Sequence, residues 1–189
     1  VIENDNKTNF TNIIGSNFRM TEIQAAIGLV QCEDINKHIS KRVEIAEFLS
    51  NQIVNISGIQ EPIVRNDCNH VYYCWGIKID ENNLGVSRKI LSKALNAEGF
   101  PHGVGYIKPL YQLPLFKKKI AMGSTGFPFN LNKNIQYKEG MCPVVEKLHN
   151  KEFLLFEPCA YDLNIEDKNL IRNTFNKIFD NLSELKKLN

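Results

Sequence analysis

The chain has no apolar run approaching the roughly 20 residues that a membrane-spanning helix needs. It has no block of like charge either. Its 23 basic and 21 acidic residues are intermixed, for a net charge of +2, which leaves no basic stripe for nucleic acid and no patch for an anionic membrane. The Lys186-Lys187 pair reads as a charge complement to a helix C-terminus. Cysteine pairing is missing as well: Cys32, Cys68, Cys74, Cys142 and Cys159 are an odd set with no Cys-x-x-Cys spacing. With His38, His70, His102 and His149 scattered along the chain, a structural zinc site is excluded on spacing, and no metal is expected. Unpaired thiols point to a reducing, cytoplasmic location. The N-terminus is neither a signal nor a transit peptide, so the sequon at Asn55-Ile56-Ser57 carries no weight. It also lacks an initiator Met, and the chain is expected to be cut from a longer protein. No internal repeat is visible.

The composition, 43% apolar and 23% charged over 189 residues, is that of an ordinary globular protein with enough chain for a real core. The most informative stretch is Gly15 to Gln31. Gly15 permits a tight or left-handed turn, and Thr21 with Gln24 has the spacing of a capping box. Ile23, Ala26, Ile27 and Val30 then share one helical face. Ala25, Ala26 and Gly28 are small enough for another element to approach closely. This reads as a turn feeding a closely packed helix, and it gives no structural reason for Asn17 and Arg19.

Further on, Ile35, Ile39, Val43, Ala46, Leu49 and Ile53 recur at helical spacing and predict a long helix from about Glu33 to Val54. Residues 59–69 have loop composition. The aromatic and β-branched run His70 to Ile79 predicts the strongest strand. Asp80 to Gly85 predicts a turn, and Ser87 caps a helix carrying Ile90, Leu91, Ala94 and Leu95 that ends at Gly99. A second strand is expected over Gly103 to Ile107, and a long irregular segment over 108–142, of the kind that is usually functional or mobile. Within it, Gly123-Ser124-Thr125-Gly126 lacks the strand and helix that a phosphate loop requires. Pro143 opens a short helix through Leu148, Phe153 to Phe156 is a buried strand, and a last helix from Ile165 through Leu182 buries Leu170, Ile171, Phe175, Ile178 and Leu182. The expected fold class is α+β, with a short sheet covered by helices on one face.

Gly15-Ser16-Asn17-Phe18-Arg19-Met20, followed by Gln24-Ala25-Ala26, resembles the Gly-x-Asn-x-Arg-Met-x-x-x-Gln-Ala-Ala segment of the DegT/DnrJ/EryC1/StrS family. These are fold-type I aminotransferases, dependent on pyridoxal 5'-phosphate, that aminate keto-sugars and keto-cyclitols. The resemblance continues through His70-Val71-Tyr72-Tyr73, Gly99-Phe100-Pro101 and Tyr161-Asp162-Leu163. It implies the C-terminal small domain of such an enzyme: a short, mostly antiparallel sheet covered by helices, with a long N-terminal bridging helix. Residues 1–32 would be the tail of the large-domain region and 33–189 the small domain. Asn17 would cross a homodimer interface to the cofactor phosphate of the neighbouring subunit, with Arg19 as a second cofactor-binding residue.

Within the family, Gly105 to Tyr111 and Gly140 to Glu146 look like the branch of glutamine-dependent scyllo-inosose aminotransferases. Gly105 and Tyr111 stand where nucleotide-sugar members carry histidines. Tyr106 and Tyr111 offer hydroxyls and flat apolar faces suited to a polyol ring. His102 either touches substrate, relays a proton or is an ordinary loop histidine. Glu146 is expected to support the first turn of its helix.

The family's Schiff-base lysine and the acid paired with the pyridinium nitrogen lie upstream of the Asn-x-Arg-Met motif. No lysine here has an equivalent context, so the chain alone is expected to hold no catalytic residue and to be inert. The whole protein would take glutamate or glutamine as amino donor, in polysaccharide or secondary-metabolite sugar biosynthesis. Two alternatives remain open at this point: a sugar dehydratase of the same fold, and a non-catalytic interaction or regulatory domain derived from it. The isolated chain, with the helix face meant for the large domain exposed, is expected to self-associate or to be sensitive to proteolysis.

Overall fold

The computed structural model describes residues 19–188. It divides into two compact units. One is built on Ile107–Lys147 and takes in the described residues up to Thr21; the other comprises Glu22–Tyr106 and Leu148–Asn189. Of the expected tail at 1–32, residues 1–18 lie outside the described residues and 19–32 hold most of the first helix.

The larger unit begins with α1 (Glu22–Glu33) and α2 (Ile35–Ile53), interrupted at Asp34. The helix expected from about Glu33 to Val54 is α2, and the one expected after the Thr21 cap is α1. Along α2 the buried positions are Ile45, Ala46, Leu49 and Ile53, while Ile35 is exposed, so the inward face starts later than the periodicity suggests. Gly58 then turns the chain with φ 86°, a backbone that glycine adopts without steric cost. What was read as a loop holds a two-residue strand, β1 (Ile59–Gln60).

The central strand β2 spans Trp75–Ile79 and buries Trp75, Ile77 and Ile79 alternately, the period-two pattern of a half-covered sheet. It is five residues shorter than the run His70–Ile79. The cause is Tyr72, whose φ of 46° breaks the extended backbone. Next comes α3 (Glu81–Leu84), a single helical turn where a turn was expected. Asp80 caps it by accepting from the Asn82 and Asn83 amides at 3.0 and 3.4 Å, and left-handed Gly85 closes it. In α4 (Arg88–Ala97) Ser87 is the N-cap, as predicted, and Leu91 and Leu95 face inward.

The next strand, β3 (Gly103–Val104), stops short of Ile107 because Gly105 and Tyr106 both have positive φ, 70° and 55°. The smaller unit follows, with α5 (Pro114–Lys117) and α6 (Pro143–Lys147). A π-turn at Leu148–Glu152 then leads into β4 (Phe153–Phe156). Two helices finish the chain, α7 (Ile165–Asp180) and α8 (Leu182–Lys186). An Asn164–Asp167 capping box starts α7, satisfying amides that a first turn leaves open. Phe175 and Ile178 are buried on α7, whereas Leu170, expected inside, is exposed.

All strand pairs are antiparallel, in the order β1-β2-β4-β3. Register sets Trp75 opposite Phe156 and Ile77 opposite Leu154. Their side chains join those of α2, α4 and α7 in one core. Phe100 stacks on Phe156 at 5.3 Å and meets Phe175 edge-on at 5.0 Å. The Trp75 indole N–H donates to Ser50 Oγ at 2.9 Å, so the one tryptophan is buried with its polar atom satisfied.

Candidate functional site

Asn17, the residue with the sharpest expected role, lies outside the described residues. Arg19 stands exposed just ahead of α1 and makes no hydrogen bond or ion pair with another described residue. A guanidinium has the fork of donors that suits an anion. The face of α1 that was expected to pack is solvent-exposed at Ile23, Ile27 and Val30.

In the smaller unit, Tyr111 sits on a 3-10 turn, Leu110–Gln112, that follows Pro109. Its ring is buried, and its hydroxyl donates to Glu146 Oε1. Gln112 Nε2 donates to the same hydroxyl at 3.2 Å, and the Gly140 amide donates to Glu146 at 2.7 Å. The Tyr111 hydroxyl, first among these donors, holds the Glu146 carboxyl below the usual carboxylate range. Burial and the Glu146 bond push the Tyr111 phenol above its ordinary value. The pair is thus a neutral donor on a charged acceptor. Glu146 does support its helix start as expected, and it also ties down Tyr111, a contact 35 residues apart that periodicity does not reveal.

The segment 108–142 is less irregular than its composition suggests. Phe116, Phe129 and Tyr137 form an aromatic cluster, with Phe116–Tyr137 centroids 5.4 Å apart. The rings line a cavity of about 320 Å³ together with Leu115, Met122 and Ile135. Among the described residues no group of three His, Cys, Asp or Glu side chains is arranged to hold a metal ion.

In the larger unit, both ring nitrogens of His102 are engaged. Nδ1 donates to the Phe100 carbonyl at 2.9 Å, and Nε2 takes the Ser92 hydroxyl at 2.7 Å. Because a carbonyl only accepts, Nδ1 carries the proton and Ser92 donates to Nε2 in the neutral ring. His102 borders a cavity of about 290 Å³ with Gly103, Glu157 and Tyr161. Tyr106 lies just past β3, half exposed, with its hydroxyl 3.4 Å from that of Tyr73. Tyr73 was read as part of a strand and of the His70-Val71-Tyr72-Tyr73 motif, with no site role; its place beside Tyr106 depends on a chain bend that the sequence pattern hides.

The model of the DegT/DnrJ/EryC1/StrS aminotransferase family matches residues 2–155. The chain belongs to this family. Among curated relatives, it is 27% identical over 121 residues to the spore coat polysaccharide biosynthesis protein SpsC of Bacillus subtilis (strain 168), a match over 62% of this chain and 30% of that protein. It is 30% identical over 115 residues to GDP-perosamine synthase of Caulobacter vibrioides, over 58% of this chain and 31% of the synthase. The matched segments span about a third of these relatives. Among solved structures, DesV of S. venezuelae, crystallised with a ketimine intermediate, superposes with a TM-score of 0.64 at 17% identity, over 88% of this chain and 38% of DesV. The family fold is therefore present here as helices around a small antiparallel sheet. No described helix is long and apolar enough to cross a membrane.

Proposed function

We propose that this chain is the C-terminal part of a pyridoxal-phosphate-dependent aminotransferase, a homodimer that moves an amino group from glutamate or glutamine to a keto-sugar or keto-cyclitol. The observation that carries this reading is the family match over residues 2–155. The printed names of the relatives, a perosamine synthase and a polysaccharide biosynthesis protein, support a sugar-like substrate. The cofactor, when bound, supplies the electron sink for amino transfer. This chain's residues then do the holding. Asn17 and Arg19 donate to the cofactor phosphate. Tyr106 offers an exposed hydroxyl and ring to the substrate, while Tyr111, anchored by Glu146, contributes an apolar wall. His102, locked by Ser92 and the Phe100 carbonyl, lends its ring edge to substrate.

The test is the natural gene product, purified whole. Its mass and visible absorbance are measured before and after adding glutamine or glutamate. A longer, yellow protein bleached by the donor supports the aminotransferase. A colourless product of this length overturns it and favours a non-catalytic domain. A yellow protein that no donor bleaches favours the dehydratase.

A further inference from the structure

The cavity of about 320 Å³ beside Phe116, Phe129 and Tyr137 lies wholly within the smaller unit. No residue assigned above to cofactor or substrate lines it. Its volume falls at the small end of the roughly 300–1,000 Å³ of ligand pockets. Aliphatic and aromatic side chains make most of its wall, among them Leu115, Met122 and Ile135. One residue of the wall is charged, Lys119, and no acid lines it.

Lys119 differs from the lysines before it. Lys117, Lys118 and Lys119 are consecutive, yet only Lys119 is half-buried, and the other two are exposed. Helix α5 ends in a Schellman turn. The Lys119 amide donates to the Phe116 carbonyl at 3.0 Å, and the Ile120 amide donates to the Leu115 carbonyl at 2.9 Å. Lys119 takes the left-handed position of that turn, with φ 49°, where glycine is the usual residue and a Cβ is disfavoured. The turn also occupies two carbonyls that would otherwise face an anion at a helix C-terminus. Among the described residues the Lys119 ammonium has no carboxylate partner.

The rings decide the shape of a ligand body. Their centroids are 5.4, 6.1 and 6.3 Å apart, within the range of about 4.5–7 Å for direct aromatic pairs. Each ring already meets the other two, so no slot remains between them for a further flat ring. A flexible alkyl chain needs no slot. It lies along the rings and against Leu115, Met122 and Ile135, and each methylene taken from water adds to affinity. An anionic head supplies the charge partner that the wall lacks. One ammonium matches the single charge of a carboxylate better than the near-double charge of a phosphate monoester.

We propose that this cavity binds a medium-chain alkyl carboxylate, its chain against the three rings and its head on the Lys119 ammonium. Such a site stands whether or not the aminotransferase reading holds. The test titrates the whole natural gene product with hexanoate, octanoate and 1-octanol by calorimetry. Octanoate is expected to bind, with affinity rising about fourfold per methylene from hexanoate. Lys119→Gln is expected to weaken octanoate about tenfold and to leave 1-octanol unchanged. Lys119→Gly is expected to weaken octanoate equally, with a urea midpoint no lower than that of the unsubstituted protein, because glycine suits the left-handed position. Its loss of binding then cannot come from unfolding. Met122→Trp, which fills the cavity, is expected to abolish binding of both probes. Octanoate that fails to bind, with another segment of the protein or a second copy filling the cavity, overturns the proposal. An affinity independent of chain length overturns it too, as surface ion pairing only. Octanoate binding unchanged in both Lys119 variants, or 1-octanol weakened as much as octanoate in Lys119→Gln, overturns the place of the head. Binding unaltered by Met122→Trp overturns the cavity as the site.

Discussion

Glu146 shows how a single carboxylate organises a loop-rich unit. It takes the Tyr111 hydroxyl and the Gly140 amide, and the first of these bonds lowers its pKa most. A carboxyl whose folded pKa is depressed stabilises the fold above its unfolded pKa and loses that contribution as pH falls through the folded one. The bond to Tyr111 is therefore expected to hold at neutral pH and to fail below the usual carboxylate range. Tyr111→Phe should move the Glu146 pKa up toward its ordinary value, read from carboxyl-carbon NMR across an acid titration. No upward movement would show that the backbone amides alone set it. Arg88 is the second residue with a disproportionate role, since one guanidinium serves three carbonyls. Arg88→Ala should cost about 2 kcal/mol in urea unfolding. Arg88→Lys should recover little of it, because an ammonium cannot reproduce the planar fork.

At the scale of elements, local chemistry is the dependable part of this chain. Ser87, Asp80 and the Asn164–Asp167 box all cap helices through their own side chains. Asn164→Ala should lower stability by about 1 kcal/mol, measured by thermal or urea unfolding. A loss below a few tenths would mean water replaces the cap. The Ser87 cap, and strand β2 with its alternating Trp75, Ile77 and Ile79, were legible because they depend on residues close in sequence, whereas the caps at Asp80 and Asn164 were passed over as a turn and a helix start. What was hidden is where strands stop. Nothing in a Tyr-Tyr pair announces that Tyr72 turns left-handed, because its conformation is imposed by the packing of its own ring and by His70. The same holds for Tyr106, whose turn depends on His149 more than forty residues away. Tyr106 and Tyr111 were singled out through a motif, Tyr73 lay in one without a role, and Arg88 and His149 enter only through contacts. The aromatic cluster of Phe116, Phe129 and Tyr137 was masked by the prolines and glycines around it.

For the whole molecule, the contrast between α1 and α2 is decisive. Helix α2 buries Ile45, Ala46, Leu49 and Ile53, whereas no residue of α1 is buried. Its Ile23, Ile27 and Val30 are 75%, 60% and 61% exposed, although they share one face and would each gain from leaving water. Most helical stability in proteins comes from packing such a face rather than from propensity. An apolar stripe of this kind on an isolated chain is a site of association. The chain alone is therefore expected to self-associate as concentration rises, shown by sedimentation velocity over a hundredfold range. Ile23→Glu combined with Ile27→Glu should restore a monomer, since a charge on the stripe opposes its burial. If the unsubstituted chain stays monomeric throughout that range, the stripe does not drive association. If both forms associate alike, another surface is responsible, and the exposed rings and aliphatic side chains of 107–147 become the next face to alter.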